Sequence, residues 1–582
     1  MPQTPCTIIG KMYKFVESDR SSPPEKFEMP FEGKLSEENR WVMMAELIPW
    51  SEFEEEYAQN FAQEMGAPAK SFRMALGALI IKEKLGISDR EVVEQIRENP
   101  YLQYFIGKRS YSNETPFDPS LLVHFRQRIS VDLVNKVNRK MVHQMRERVS
   151  SSDESENSSE EEKSEPNQRG KLILDATCAP ADISYPTDLE LLNQARVQTE
   201  KIIDTLYKPL KGKVKKKPRT YRQRGRKDYL TVAKKRRPSR KVIKKAIKKQ
   251  LQYLSRNLSH IEQLIEWGAS LESLSKRAYK TLLVVGELYR QQQWMKDNHK
   301  HSIEHRIVSL TQPHLRPIVR GKARTPVEFG AKLSASSFDG YVFLDRISWD
   351  NFNESTHLID QVEAFKNYTG FYPESVHVDK IYRTRVNRAW CKSHGIRISG
   401  PPLGRPPAFV SDEIKKQARD DENIRNAIEG FFGQGKRRFS LGRVMAKLSE
   451  TSQTSIAITF LVINLSRCLR QLLCLFLCPK SLHLHFQGFW ITKNYISLNY
   501  HLNQLISSRS LIHHRLTSCF SSTYSASPNV DNVIDGHNWG VPVTANRRDI
   551  VNGKFLNNCQ FFPGGNDIKL GSGNNFFDLI LR

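Results

Sequence analysis

The chain is poor in thiols, in uninterrupted apolar runs and, late in its length, in glutamate. Its 582 residues include only eight cysteines, without paired spacing. That excludes a small disulfide-braced fold and leaves free thiols in a reducing compartment as the expectation. The opening stretch MPQTPCTIIGKMYKF has no apolar run of signal-peptide length. The longest apolar stretch, Ile456 to Leu477, carries Arg467 and Arg470 in its middle, which a bilayer span tolerates poorly. Secreted and membrane classes are not expected, and a cytoplasmic protein is. No glutamate occurs after Glu450, and from about residue 479 the chain has no sustained periodicity.

What is abundant is positive charge. Lys and Arg number 89 against 63 Asp and Glu, a formal net charge of +26. With 39% hydrophobic residues, large cores are affordable and wholesale disorder is excluded. A protein this basic meets a polyanion, nucleic acid above all. The excess is local: half of the residues from Lys208 to Lys249 are Lys or Arg, against one acid, Asp228. A solvated basic loop is one reading of this stretch. Tyr221, Tyr229 and Tyr253 among the charges, and spaced Val, Ile and Leu from Arg240 to Leu264, favour a basic helix facing phosphates. The run Lys234, Lys235, Arg236, Arg237 is then a DNA-backbone contact that reads no bases. The opposite charge is equally local. Residues 150–169 are acids and serines without an apolar side chain before the basic end, a flexible acidic linker and a domain boundary.

Residues 1–149 read as helical and DNA-binding. Ser51 with Glu54 and Ser88 with Glu91 have capping-box spacing, and Asp118-Pro119 is a helix start. Residues 71–85 form an amphipathic helix that ends at Gly86, one residue short of the capped helix at 88–98. So short a turn fits a helix-turn-helix or an ordinary helical hairpin. Residues 170–478 change texture to an α/β domain with a mixed sheet. Strands are expected at Lys171–Ala179, Val327–Ser334, Tyr341–Trp349, Ser375–Asp379 and Ile396–Ser399, with helices at 354–367, 384–394 and from about 411 to 475. A helical basic insertion at about 187–310 interrupts the domain, opening with Thr187 and Glu190 at capping-box spacing. Residues 479–582 form an atypical tail. Cys474 and Cys478 just before it, with His483 and His485 in it, match no standard zinc spacing.

Three acids stand out by position. Asp175 and Asp379 each end an apolar β run, where an α/β sheet presents side chains at its edge. Glu429 lies on a helix that carries Arg425 one turn earlier, and Gly433 and Gly435 weaken that helix ahead of Lys436. Carboxylates converging from adjacent strands suit hard divalent cations. Two such ions activate a water or a 3′-hydroxyl and stabilise the leaving oxygen of a phosphodiester.

The segment Arg425-x3-Glu429-x6-Lys436 resembles the R-x3-E-x6-K part of the Y-R-E-K signature of DDE transposases from bacterial insertion sequences. LDATCAPADISYPTDLELLNQAR around Asp175, VDKIYRTRVNRAWCKSHGIRISGPPLGRPP after Asp379 and RNAIEGFFGQGKRRFSLGRVMAKL around Glu429 resemble the same family, in the same order. SFRMALGALIIKEKLGISDREVVEQIRENPYLQYFIG resembles the helical domain that precedes its catalytic core. The likeness spans roughly residues 35–475. It implies an RNase H-like α/β catalytic core behind an all-α DNA-binding domain, and a catalytic metal triad of Asp175, Asp379 and Glu429. Asp175 would bridge two Mg²⁺ ions, with Mn²⁺ as a substitute. Arg425 and Lys436 would be phosphate contacts. The signature tyrosine position, three residues before Arg425, holds Glu422. The implied activity is strand cleavage and transfer at terminal inverted repeats of double-stranded DNA, by a homo-oligomer in the nucleoid. The alternatives are an inactive or repurposed DNA-binding derivative, and a nuclease without strand transfer.

Overall fold

The computed structural model describes residues 33–61, 68–153, 168–214, 216–319, 327–400 and 411–477. The tail and its zinc candidates beyond Cys474, and most of the acidic linker, lie outside these residues.

Among the described residues, seven α-helices precede the sheet: α1 (Arg40–Leu47), α2 (Glu54–Ala58), α3 (Phe72–Leu85), α4 (Asp89–Glu98), α5 (Pro100–Phe105), α6 (Leu121–Arg128) and α7 (Val131–Asp153). The caps of α3 and α4 are local and follow the sequence. Ser71 Oγ accepts the Met74 N–H, Gly86 turns left-handed at φ 67°, and Ser88 Oγ accepts the Glu91 N–H. The expected box at Ser51 is not formed. Trp50–Phe53 is a 3-10 turn, and Glu54 is buried and accepts the Phe72 N–H at 3.1 Å, so it supports the start of α3 instead of its own helix. At Asp118 the chain makes a turn, its carboxylate accepting the Ser120 N–H, and α6 begins at Leu121. Helix α7 runs on to Asp153, past the expected start of the linker.

The α/β region contains β1 (Lys171–Pro180), β2 (Arg316–Val319), β3 (Val327–Phe338), β4 (Tyr341–Ser348), β5 (Ser375–His377) and β6 (Arg397–Ile398). They form one mixed sheet in the order β2-β3-β1-β5-β6, with β4 alongside β3. The β1–β5 and β5–β6 pairs are parallel and the rest antiparallel. The hairpin β3–β4 turns on Asp339 and Gly340, both at positive φ, as a two-residue loop requires.

The insertion is four helices: α8 (Asp188–Tyr207), α9 (Arg222–Ala233), α10 (Arg240–Glu266) and α11 (Lys276–Asp297). Thr187 caps α8 as expected. Leu192, Leu254, Val285 and Leu288 form one core between its helices, and Ile203, Leu206, Ile261 and Leu264 another. Beyond the insertion lie α12 (Leu358–Thr369), α13 (Arg385–Ser393), α14 (Asp412–Arg438) and α15 (Ser449–Leu477).

By length and composition α15 could cross a bilayer, but most of it is buried inside the protein. Ile458, Leu461, Val462 and Leu465 join the N-terminal Phe105 and Val134 and the sheet residues Leu333 and Val342 in one continuous hydrophobic core. Asn464, fully buried, binds the backbone of Val342 at both N–H (3.0 Å) and C=O (2.8 Å), and donates to Asn138 Oδ1 at 3.0 Å. One side chain thus pairs Val342 on the outer edge of β4 and ties it to α7 and α15.

Candidate active site

Asp175 sits in the middle of β1, not near its end, because β3 pairs with β1 from Ile173 through Pro180. The parallel neighbour is much shorter: β5 pairs only with Lys171, Leu172 and Ile173. Asp175 therefore lies just beyond the point where its parallel partner stops. The register sets Lys171 beside Ser375 and Ile173 beside His377, and Asp175 and Asp379 each follow two residues after that pairing ends. Asp379 is exposed and caps the next turn, its Oδ1 accepting the Lys380 N–H at 2.6 Å.

Glu429 comes from α14, which packs across β1 and β5. The helix does not break at Gly433 or Gly435; it continues to Arg438. Steps of four and seven residues then set Arg425, Glu429 and Lys436 along one face. At Gly435 the packing is tight: a β-carbon there would meet Leu441 Cδ2 at 3.1 Å and Ile463 Cδ1 at 3.4 Å. Arg425 is held between two acids, Nη2 2.7 Å from Glu422 Oε1 and Nη1 3.2 Å from Glu429 Oε1. The residue in the tyrosine position is thus the main partner of Arg425, and the guanidinium holds the Glu422 carboxyl below its ordinary value.

Burial pushes the Asp175 carboxyl up to about 6. The Ala176 N–H, at 2.8 Å, opposes the rise, Glu354 adds to it, Arg425 opposes it and Glu429 adds again. Asp175, Arg425 and Glu429 therefore share one electrostatic neighbourhood. Glu354 belongs to it too, and sequence reasoning missed it: Asn-Glu-Ser after an aromatic residue carries no motif. Among the described residues, no three or more His, Cys, Asp and Glu converge closely enough to hold a metal ion.

The helix is anchored to the sheet by Asp421. Its carboxylate takes both arms of Arg397 on β6, at 2.8 Å each, and lies 3.4 Å from His377 Nδ1 on β5. Burial pushes His377 down to about 4, so it is neutral there.

The basic run of the insertion lies on other elements. Lys234, Lys235, Arg236 and Arg237 form the exposed turn between α9 and α10. Lys241, Lys244, Lys245 and Lys248 continue the positive surface along one face of α10, also exposed. No acid occupies the first turn of α10.

Residues 376–466 match the family model described as transposase DDE domain, and residues 29–128 match a transposase domain (DUF772). A protein of Rhizobium meliloti described as "uncharacterized protein ORF8 in nfe locus" is 30% identical over 154 residues, covering 26% of this chain and 68% of that relative. The chain belongs to the DDE transposases of insertion sequences. The DDE match spans Asp379, Arg425, Glu429 and Lys436, and the second match spans α1 to α6 of the transposase. No solved structure matches the transposase.

Proposed function

We propose that the transposase cuts DNA at the terminal inverted repeats of its element and joins the 3′-hydroxyl to target DNA, with Asp175, Asp379 and Glu429 as its catalytic carboxylates. What supports this reading is that Asp175 and Asp379 each follow the last paired residues of β1 and β5 by two positions, with α14, which bears Glu429 and Arg425, packed on both strands. The donor set is all carboxylate oxygen, the chemistry that Mg²⁺ or Mn²⁺ prefers. Burial and neighbouring acids hold Asp175 at about 6, an environment in which a dication is welcome. When bound, two such ions polarise the attacking water or 3′-hydroxyl and stabilise the leaving oxygen. Arg425 and Lys436, on the same face as Glu429, hold the phosphates on either side of the scissile bond. For Arg425 this means exchanging Glu422 for phosphate when DNA arrives. The exposed basic turn and α10 hold the duplex through its backbone, and the N-terminal helices recognise the element ends. We place the protein on bacterial nucleoid DNA as a homo-oligomer.

A second reading, a DNA-binding derivative that no longer transposes, is favoured by one observation: Glu422 engages Arg425 where the signature has tyrosine. Cleavage of DNA carrying the element's native flanks, with and without Mg²⁺, decides between them. Mg²⁺-dependent nicking at the repeat ends supports the first; tight binding with intact DNA supports the second.

A further inference from the structure

From Lys380 to Gly400 the chain carries six Lys and Arg and no acid. Lys380, Arg385 and Lys392 are exposed, as members of a solvated basic face are. Arg383 and Arg388 are placed differently. Thr384 is the N-cap of α13, its Oγ1 accepting the Asn387 N–H at 3.1 Å. Arg383 therefore holds the position just before the cap, and Arg388 the fourth position of the helix. Side chains at these two places pack on each other and are ordinarily apolar. Here both are guanidinium groups.

Arg383 is buried, and its Nη1 donates to the Ser399 carbonyl at 2.5 Å. Gly400 lets that arm pass, because a β-carbon there would stand 2.8 Å from the same nitrogen. Buried Asn387 donates to the Tyr382 carbonyl at 2.8 Å and the Ser355 carbonyl at 2.7 Å, so the start of α13 is a fixed frame for the pair. The Nε atoms of Arg383 and Arg388 are both buried without a hydrogen-bond partner. Among the described residues neither guanidinium makes an ion pair. The acid whose field reaches Arg383 is Asp421, and both its oxygens are engaged by Arg397. Neighbouring like charges with buried, unbonded donors are costly, and an anion between them supplies what both lack.

We propose that Arg383 and Arg388 form a seat for one backbone phosphate of the DNA, beyond those assigned to Arg425 and Lys436. This rests on the assignment of Asp379 to the cleavage site. Arg383 follows Asp379 by four residues, a reach of at most about 14 Å even in extended chain. With one phosphate per roughly 3.4 Å of axis on a strand, the seated phosphate lies within about four nucleotides of the cleaved bond.

The test uses the full chain in EDTA with element-end duplex, in which single phosphates near the cleavage position are replaced one at a time by uncharged methylphosphonate. Arg388 is the residue to change, because Arg383 also holds the Ser399 carbonyl. In the parent, one methylphosphonate should weaken binding about tenfold. Arg388→Gln should bind unmodified DNA about tenfold more weakly and lose nothing further at that one position. Its slope of log K against log salt should flatten by about 0.9. Arg388→Lys keeps the charge and should restore the slope, with affinity between the two. Relieved of repulsion, Arg388→Gln should melt at or above the parent. If it melts lower while its slope and methylphosphonate pattern match those of the parent, Arg388 is a structural residue and the proposal falls. Cleavage lost in Asp379→Asn with a parental pattern in Arg388→Gln overturns this inference alone. Parental cleavage in Asp379→Asn overturns the cleavage-site assignment beneath it.

Discussion

Arg397 grips Asp421 with both arms of its guanidinium, Nη1 to Oδ2 and Nη2 to Oδ1, each at 2.8 Å. His377 lies against the same carboxylate, so β5, β6 and α14 meet at one side chain. The orientation of Arg425 and Glu429 over β1 depends on that junction. Asp421→Ala strips Arg397 of its acceptor and should cost about 1–3 kcal/mol of stability, discounted because Arg397 is partly exposed. Asp421→Asn keeps an acceptor oxygen and should cost less. Urea unfolding measures both, and in cleavage assays Asp421→Ala should lose more rate than DNA affinity. Parental stability in Asp421→Ala would remove Asp421 as the anchor.

Glu54 makes the folded state sensitive to pH. Burial pushes its carboxyl from 4.5 up to about 7, against the pull of the Phe72 N–H. A raised folded value means the stabilising protonated form is fully present below pH 4.5 and lost as pH climbs through 7. Glu54→Gln keeps an acceptor for Phe72 and cannot ionise. Its stability relative to the parent should therefore improve between pH 4.5 and 7, by up to about 3 kcal/mol, and stay level outside that window. Melting curves at pH 5, 6 and 7.5 test this; parallel curves would mean Glu54 ionises as freely folded as unfolded.

The caps at Gly86, Ser88 and Thr187 were legible because a cap is a bond between residues three or four apart, and the sequence carries both ends. Most strands and helices of the α/β region were legible for the same local reason. Strand β2 was not, because four residues, RPIV, give no alternation to read. Glu54 was assigned to its own helix because its real partner, Phe72, is supplied by the packing of α3. Asp175 looked like a strand end because the antiparallel partner that extends β1 comes from the far side of the insertion. Glu354 was invisible for a related reason: only the fold brings it into the electrostatic neighbourhood of Asp175. In the insertion, composition located the charge, and the fold showed that the buried Leu and Ile of α8 and α10 build a helical support beneath it.

Three glycines of α14 separate propensity from packing. A β-carbon at Gly430 would meet nothing within 4 Å, and at Gly433 only the flexible Arg437 side chain, at 3.1 Å. Alanine at either position should stabilise by up to about 1 kcal/mol through helix propensity. At Gly435 the new methyl group presses on Leu441 and Ile463, and overpacking of this kind typically costs about 1–3 kcal/mol. Gly435→Ala should therefore melt below the parent while the other two melt at or above it. Equal melting of all three would show that α14 and α15 have room to separate.

The exposed turn between α9 and α10 should govern non-specific affinity. Each phosphate neutralised contributes a slope of about −0.9 in log K against log salt. Replacing Lys234, Lys235, Arg236 and Arg237 with Ala should flatten that slope by up to about 3–4 units if all four meet phosphates. Discrimination between element ends and random duplex should change much less, because we assign it to the N-terminal helices. Fluorescence titrations from low to moderate salt give the slope, and an unchanged value would place the turn away from DNA.

The carboxylate assignment makes the strongest demand. Asp175→Asn, Asp379→Asn and Glu429→Gln keep side-chain shape and remove one negative charge each. Hard cations lose affinity when anionic oxygens are neutralised, and both attacking and leaving oxygens rely on them. Each variant should bind element-end DNA as well as the parent, or slightly better through reduced repulsion, and fail to cut it. For Glu429→Gln the amide also weakens the contact with Arg425 Nη1, leaving Glu422 as the main acid on that guanidinium. Because groups that act as one unit are non-additive, double variants should be hardly slower than singles. Asp182, paired with Arg443, and Asp345, tied to Ser336 and Gln361, serve as controls. Their Asn variants should cut far better than the triad variants, which tests the choice of acids and not acidity in general. If Glu429→Gln nicks at close to the parental rate in Mg²⁺, the third carboxylate is another residue, and Glu354 becomes the first to examine.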